Sequence, residues 1–222
     1  TKSVETGQGS SGDTDIIFLK GVNQKHQGLE IETKVKPNEL VELDLIASFG
    51  NWKFDGDANG TYQEMEYNDE GQVIGQTSTE YSYALDGLYV GDMPQTAYIL
   101  GVTLKPVKGL RLQALYKTYD KNYSDWSPAA REIEDGEADR AQVWEAPGYS
   151  KLDLHASYKL PIKGHDISLT AHVFNALDEV FVQDAVDNSR YNGFGSKEHL
   201  PHNAEVFLGT PRYANIGVSI NF

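Results

Sequence analysis

The chain has 222 residues, no cysteine and a formal charge of −14, from 33 acidic and 19 basic side chains. This acidic balance disfavours nucleic acid as a partner, because phosphate binding needs a basic surface, and the lack of cysteine removes disulfide and thiolate chemistry. No apolar run approaches the roughly 20 residues that a transmembrane helix requires.

Seven segments alternate apolar and polar residues with a period of two, which is the pattern of strands with one apolar and one wet face. The last is the most regular, with Ala214, Ile216, Val218, Ile220 and Phe222 on one face. A final amphipathic strand that ends on Phe is typical of an outer-membrane barrel, since a soluble domain usually continues into a polar tail. In chain order the seven segments are 28–36, 41–49, 98–104, 110–117, 151–160, 167–173 and 214–222.

The connections between these segments are of two kinds. Residues 37–39, 106–109 and 161–164 form short, proline-led turns, whereas 55–95, 120–147 and 178–212 are long. Short turns on one side and long loops on the other are the periplasmic and extracellular faces of an outer-membrane barrel. The pattern predicts an all-β fold, an antiparallel transmembrane β-barrel arc of about seven strands.

An odd number of strands predicts that the arc is incomplete. Single-chain bacterial barrels have an even number of strands, and open sheet edges are not stable in lipid. We therefore expect residues 1–222 to be the carboxyl-terminal part of one larger barrel domain. The chain also starts without a signal peptide, which a protein of the outer membrane must have carried, so we expect the natural protein to be longer.

Several motifs resemble those of TonB-dependent outer-membrane receptors. The segment 173–181, VFNALDEVF, resembles the N-L-F/L-D-x-x-Y signature of their penultimate strand, although Ala176 and Val180 depart from the usual pattern. Gly209-Thr210-Pro211-Arg212 resembles their closing G-x-P-R, and residues 26–32 are similar to their G-x-E motif. The resemblance implies a barrel of about 22 strands around a plug, importing a scarce nutrient (a metal chelate, vitamin, glycan or peptide) with energy relayed from the inner membrane.

The same resemblance implies the location and the partners. The protein would be a multi-pass barrel of the cell outer membrane, in contact with lipid, with its own amino-terminal barrel strands and plug, and with the TonB complex through a segment that lies outside this chain. A surface lipoprotein is a further candidate partner. Phe222 would be part of the signal read by the barrel assembly machinery.

One loop matches the spacing of a calcium site. Asp55, Asp57, Asn59, the Thr61 carbonyl and Glu66 satisfy the pattern D-x-[DN]-x-[DN]-G-x5-E, which supplies oxygen ligands around a tight glycine turn. The alternative is a solvated acidic turn, because Asp, Asn and Gly collect in turns anyway. The flanking residues indicate strand rather than helix.

Aromatic and histidine side chains in the long segments are candidate ligand contacts. Tyr81 and Tyr83 could stack on a ligand such as a sugar ring, but the alternation around them favours the arm of a hairpin above the membrane. The other candidates are Tyr123, Trp126, His199 and His202, the two histidines as contacts to a metal chelate. On the lumen side, His172 is expected opposite Asp153, as a proton-sensitive contact to a plug or as part of a wet wall.

No catalytic constellation stands out, and we expect no enzymatic activity. No Ser-His-Asp order, glycine-rich phosphate loop or paired-carboxylate pocket is defensible. Two alternatives to the receptor remain open: a passive porin-type barrel without a plug, and a soluble calcium-dependent β-sandwich binding module.

Overall fold

The computed structural model describes residues 2–8, 14–189, 191–193 and 195–221. Within these ranges the chain is almost entirely strand, with one short helix, α1 (Pro128–Arg131), and a 3-10 turn at Pro201–Asn203. No helix in the described part of the chain is long and apolar enough to cross a membrane. The strands are β1 (Lys2–Gln8), β2 (Thr14–Lys20), β3 (Gln24–Asn38), β4 (Val41–Phe54), β5 (Ala58–Tyr67), β6 (Val73–Tyr83), β7 (Thr96–Leu104), β8 (Leu110–Asp120), β9 (Asn122–Tyr123), β10 (Glu145–Ala146), β11 (Tyr149–Lys159), β12 (Asp166–Phe174), β13 (Val182–Val186), β14 (Glu205–Leu208) and β15 (Tyr213–Asn221).

The seven segments predicted from alternation form one antiparallel sheet. Its strand order is β15-β12-β11-β8-β7-β4-β3, so that each strand pairs with its neighbour in the predicted series. This confirms the all-β class and the large antiparallel sheet of a partial barrel. Most strand bounds agree with the prediction to within one residue, and the others extend by two to five residues, mainly toward the long loops, because the alternation fades there while the ladder of backbone hydrogen bonds continues.

The register keeps apolar residues on one face and polar residues on the other. Leu154 lies opposite Ala114 and Val173, whereas the next residue, His155, lies opposite Gln113 and His172. Large residues on the apolar face are exposed, and the exposed fraction reaches 83% at Ile216. An exposed apolar sheet face of this extent is stable only against lipid or another apolar surface.

The short turns join β3 to β4, β7 to β8 and β11 to β12, and they lie side by side. The Lys105 amide donates to the Leu40 carbonyl (2.8 Å), and the Lys159 amide donates to the Gly109 carbonyl (2.9 Å). Gly109 has a φ of +88°, and a Cβ there would lie 2.6 Å from the Lys159 carbonyl oxygen. Glycine is therefore required at this point where two turns meet.

The opposite end of the sheet carries three long connections: the first long loop (54–96), the second (120–149) and the third (174–213). The first contains the β5–β6 hairpin, which joins β2 and β1 in a second sheet of order β1-β2-β5-β6. Tyr81 and Tyr83 lie on this hairpin, as the alternation indicated. The strands β1 and β2 were not predicted.

The main buried apolar core lies among these loops rather than under the seven-stranded sheet. Its members come from β2, β4 and the first two long loops, and they share near-complete burial: Leu19, Phe54, Ala58, Tyr83, Leu85, Leu88, Tyr123, Trp126 and Val143. The sheet has one exposed apolar face and one polar face, so the packing of buried apolar side chains occurs among the loops beyond its end.

Candidate functional site

The polar face of the sheet forms a charged wall whose groups are paired with one another. Lys117 Nζ donates to Asp153 Oδ2 (2.7 Å), and Asp153 Oδ1 accepts from the Asn175 amide (2.9 Å). This part of the wall tolerates burial beside water and polar solutes because the Lys117 and Asp153 charges are paired and hydrogen-bonded. It is the face that would line the lumen of a barrel.

A second group of charges on this wall lies near the short turns. The Glu42 carboxylate is nearly buried and binds three cations: Lys105 (2.6 Å), Arg111 (3.1 Å) and Lys36 (3.2 Å). One carboxylate cannot balance three cations, so this part of the wall carries surplus positive charge. The sequence alternation placed these residues on the wet face but did not indicate that strands β3, β4 and β8 bring them to one point.

The two wall histidines meet each other, and the expected pair of His172 with Asp153 is wrong. The β11–β12 register puts His172 opposite His155, and their Nδ1 atoms lie 2.8 Å apart. Asp153 lies two residues further along β11, at the level of Phe174, because the hairpin is centred between Lys163 and Gly164, one residue later than the centre assumed near Ile162.

Two of the motifs that resemble the receptor family meet at the long-loop end of β12 and β15. Asn175 is buried, and its side-chain Nδ2 donates to the carbonyls of Glu179 (2.9 Å) and Thr210 (3.3 Å). The Arg212 amide donates to Asp178 Oδ1 (2.9 Å), and a Cβ on Gly209 would overlap the ring of Phe181. The N-A-L-D and G-T-P-R segments therefore form one structural joint between the third long loop and the sheet.

Three of the candidate aromatic contacts are buried, which contradicts their use as an open ligand surface. Trp126 is 2% exposed and packs edge-on against Phe54, while Tyr83 is 1% exposed beside it. Tyr123 stacks on Tyr89 with ring centroids 4.1 Å apart. Burial raises the pKa of the Tyr83 and Tyr123 hydroxyls. Aromatic character alone does not separate a ligand platform from the core of a loop domain.

The two candidate histidines of the third long loop have different surroundings. His202 is exposed, and its nearest carboxylate is Glu198 at 4.0 Å. His199 is nearly buried between Asp139 and Asp187, beside Arg131. The two do not converge on a common site. Tyr81 is half-buried against the loop core.

The five residues of the calcium pattern do not surround one point. Asn59, Thr61 and Glu66 lie on strand β5, where seven residues of extended chain separate Asn59 from Glu66 by about 23 Å. Among the described residues no three His, Cys, Asp or Glu side chains are grouped so as to hold a metal. The strand prediction for the flanks is confirmed, and a strand cannot wrap an ion as a helix-flanked loop does.

Asp57 has another partner instead. Arg140 of the second long loop grips its carboxylate with two nitrogens, at 3.0 and 2.8 Å. Asp57 Oδ1 also accepts from the amides of Leu85 and Asp86, each at 3.0 Å. The arginine contact lowers the pKa of Asp57 to about 2. Phe222, the expected assembly signal, lies outside the described residues.

Comparison with known proteins points to one family. A family model described as "TonB dependent receptor-like, beta-barrel" matches residues 4–176. Among solved structures, the chain is similar to the closed form of the ferric-catecholate import receptor Fiu from E. coli K12, with 15% sequence identity and a TM-score of 0.38. That alignment covers 89% of this chain and 28% of the length of Fiu. No curated protein matches the chain.

Proposed function

This chain belongs to the TonB-dependent receptor-like β-barrel family, and from that premise we propose that it is part of an outer-membrane receptor that takes up a scarce nutrient. The observation that carries the proposal is the division of the seven-stranded sheet into an exposed apolar face and a charged, internally paired face. The apolar face matches a lipid boundary, and the charged face matches a lumen through which a polar solute passes.

The edges of the sheet support the proposal that these residues are one arc of a larger barrel. Within the described ranges, β3 and β15 each pair with a single neighbour, β4 and β12. Their outer backbone groups would be costly in hydrocarbon unless further strands paired with them. We propose that barrel strands encoded elsewhere in the protein complete a barrel of about 22 strands, and that its plug and TonB-binding segment also lie there.

The proposed nutrient is a metal chelate, vitamin, glycan or peptide. Within this chain, His202 is the exposed candidate contact and Tyr81 is partly exposed, whereas Tyr83, Tyr123, Trp126 and His199 serve the interior of the loops. The three long loops are the face that would meet the nutrient, because the short turns are on the other side of the sheet.

The experiment is an uptake test in the bacterium that makes the receptor. A strain without the receptor is grown with each candidate nutrient class as the limiting source. We expect one class to support growth only when the complete receptor is restored. Growth on that nutrient class should also fail when the receptor is present but TonB is absent, because import against a gradient needs the relayed energy.

Two other outcomes would favour the alternatives. Uptake that persists without TonB, with ion conductance in a planar bilayer, would point to a passive porin-type barrel. Recovery of the chain as a folded protein without detergent would point to a soluble binding module, and the exposed apolar face of β12 and β15 argues against that outcome.

A further inference from the structure

Four charged side chains meet between the second and the third long loop, and we call them the clasp: Arg131, Asp139, Asp187 and His199. Their side chains are 0%, 9%, 1% and 9% exposed. Charges are almost never buried to this degree unless each one is paired. The clasp lies outside the seven-stranded sheet and is not used by the lumen wall.

Arg131 is the centre of the clasp. Its Nη1 donates to the carbonyls of Asp139 (3.0 Å) and Ala141 (2.7 Å) in the second loop. Its Nη2 reaches Asp187 Oδ2 (3.4 Å) in the third loop. One guanidinium therefore fixes the course of its own loop and holds the neighbouring loop to it.

The hydrogen-bond geometry of His199 decides its charge. Nδ1 lies 2.5 Å from Asp187 Oδ2, and Nε2 lies 3.0 Å from Asp139 Oδ2. A carboxylate oxygen only accepts, so both ring nitrogens must donate, and an imidazole that donates from both nitrogens is the imidazolium cation. Two other nitrogens lie further from Nδ1: Arg131 Nη2 at 3.2 Å and Asn188 Nδ2 at 3.3 Å. Neither needs Nδ1 as an acceptor, because Arg131 Nη2 donates to Asp187 and Asn188 Nδ2 donates to the Ser196 carbonyl.

The charge balance of the clasp gives the same answer. Arg131 contributes one positive charge, and Asp139 and Asp187 contribute two negative charges. Protonated His199 makes the sum zero, whereas neutral His199 would leave one uncompensated negative charge in the interior. The hydrogen bond to Asp187 is the main cause that raises the pKa of His199 above its ordinary value of 6.5.

We propose that His199 is a proton-binding site that clasps the second and third long loops together. When the imidazolium forms, one ring N–H donates to Asp187 of the third loop and the other donates to Asp139 of the second loop, so the added proton joins the two loops. This goes beyond nutrient uptake and does not depend on it, because it concerns the association of two loops in the receptor at rest.

The direction of the pH dependence follows from the raised pKa. A group whose pKa is higher in the closed state stabilises that state fully below its ordinary pKa and loses this effect as the pH rises through the raised value. The clasp should therefore hold fully below the ordinary histidine pKa and loosen as the pH rises through the raised pKa of His199. One proton allows the ratio of open to closed loops to rise by at most about tenfold per pH unit.

The charged groups that contact the His199 ring come from two neighbouring elements. The second loop presents Arg131 and Asp139, and the end of β13 presents Asp187. In the segment that carries His199, the side chains of Glu198 and His202 are about 70% exposed and lie 4.0 Å from each other. His202 therefore provides a matched control: it is a histidine of the same loop, three residues away, with no part in the clasp.

The test measures the distance between the two loops in the complete receptor. Glu137 and Lys197 are exposed, one in each loop, and Glu137→Cys with Lys197→Cys introduces two thiols for spin labels into a segment that has no cysteine of its own. Distance distributions between the two spin labels are recorded in detergent from about pH 5.5, below the ordinary histidine pKa, to about pH 9.5.

We expect a single narrow distance at the acidic end and a broader, longer distribution at the alkaline end. His202→Gln should behave like the unsubstituted receptor. His199→Gln should give the broad distribution at every pH, because one arginine then faces two carboxylates.

Asp139→Asn is the decisive variant. With one carboxylate removed, neutral His199 completes the charge balance: Nδ1–H donates to Asp187, and the new amide donates to Nε2. The loops should stay closed at every pH, a result that a purely structural role of Asp139 does not give. A pH-independent distance in the unsubstituted receptor, a narrow distance in His199→Gln at all pH values, or a retained pH response in Asp139→Asn would each overturn the proposal.

Discussion

Replacing Leu154 by Arg tests the polarity of the sheet most directly. Leu154 is the sixth of the 11 residues of β11, and its side chain is 40% exposed on the apolar face between Ala114 and Val173. In the proposed barrel, its position in the middle of the strand would place it near the centre of the membrane. An arginine on the lipid face of a barrel costs about 2–4 kcal/mol at the midplane.

Two matched substitutions separate lipid exposure from a general effect of arginine. Gln113→Arg lies on the polar face, opposite His155, at nearly the same height, and we expect it to be mild. Ile220→Arg lies on the apolar face but at the short-turn end of β15, opposite Ile167, and should cost only about 0–1 kcal/mol. The three variants therefore predict a dependence on face and on depth.

The quantity measured is the free energy of unfolding of the complete receptor in lipid vesicles. Unfolding is monitored by tryptophan fluorescence during urea titration and by the heat-dependent shift in electrophoretic mobility. A cost of 2–4 kcal/mol corresponds to a decrease of about 30- to 800-fold in the folded-to-unfolded ratio. Equal losses for Leu154→Arg and Gln113→Arg would contradict the assignment of the faces.

Three further predictions concern the loops and the carboxyl terminus. Arg131→Met should destabilise the loop domain by about 3–5 kcal/mol, because it leaves buried carboxylates without their partner, and limited proteolysis of the second and third loops should accelerate. Gly209→Ala should lower the yield of folded receptor, since the added methyl overlaps the Phe181 ring; heat-modifiable mobility reports this, and an unchanged yield would refute the steric reason. Deleting Phe222 should lower the amount of receptor in the outer membrane more than deleting an exposed loop residue does, as quantified by immunoblot of membrane fractions; equal amounts would show that Phe222 is not part of the assembly signal.

The seven sheet strands could be predicted from the sequence because lipid and water enforce opposite requirements on alternate residues. Along β11, Leu154 and Ala156 lie on the apolar face, and His155 and Ser157 lie on the polar face. The period of two is therefore visible along the whole strand. The turns were equally clear, because Pro106 and Gly109 each restrict the backbone in a way that few other residues do.

The strands of the loop domain could not be predicted in the same way. The β1 and β2 strands lie in a segment where glycine and serine are frequent, and the strand that pairs with β2 is β5, which comes from the next long loop. Such pairing depends on a core that forms only when separate loops meet. Leu19 is fully buried in that core, yet its neighbours in sequence do not show whether it faces lipid, lumen or protein.

The calcium pattern illustrates why spacing alone is not a site. Asp55 to Glu66 has the ligand types in the right order, but the pattern assumes a loop that curls around the ion. Thr61, Tyr62 and Tyr67 favour strand, and the β5–β6 ladder keeps Glu66 opposite Gly75, far from Asp57. Local propensity and the ladder therefore override the motif.

The cationic residues of the second loop explain how such acidic loops hold together. Residues 55–95 contain nine acidic and no basic side chains, so the first loop cannot pair its own charges. Arg140 binds Asp57 of the first loop, and Arg131 binds Asp187 of the third. The exposed Arg140 pair is worth little by itself because solvent screens it, whereas the buried Arg131 pair cannot be broken without leaving a charge unpaired in the interior. The second loop is thus the connector of the three, and the proton on His199 completes the charge balance of its buried contact with the third.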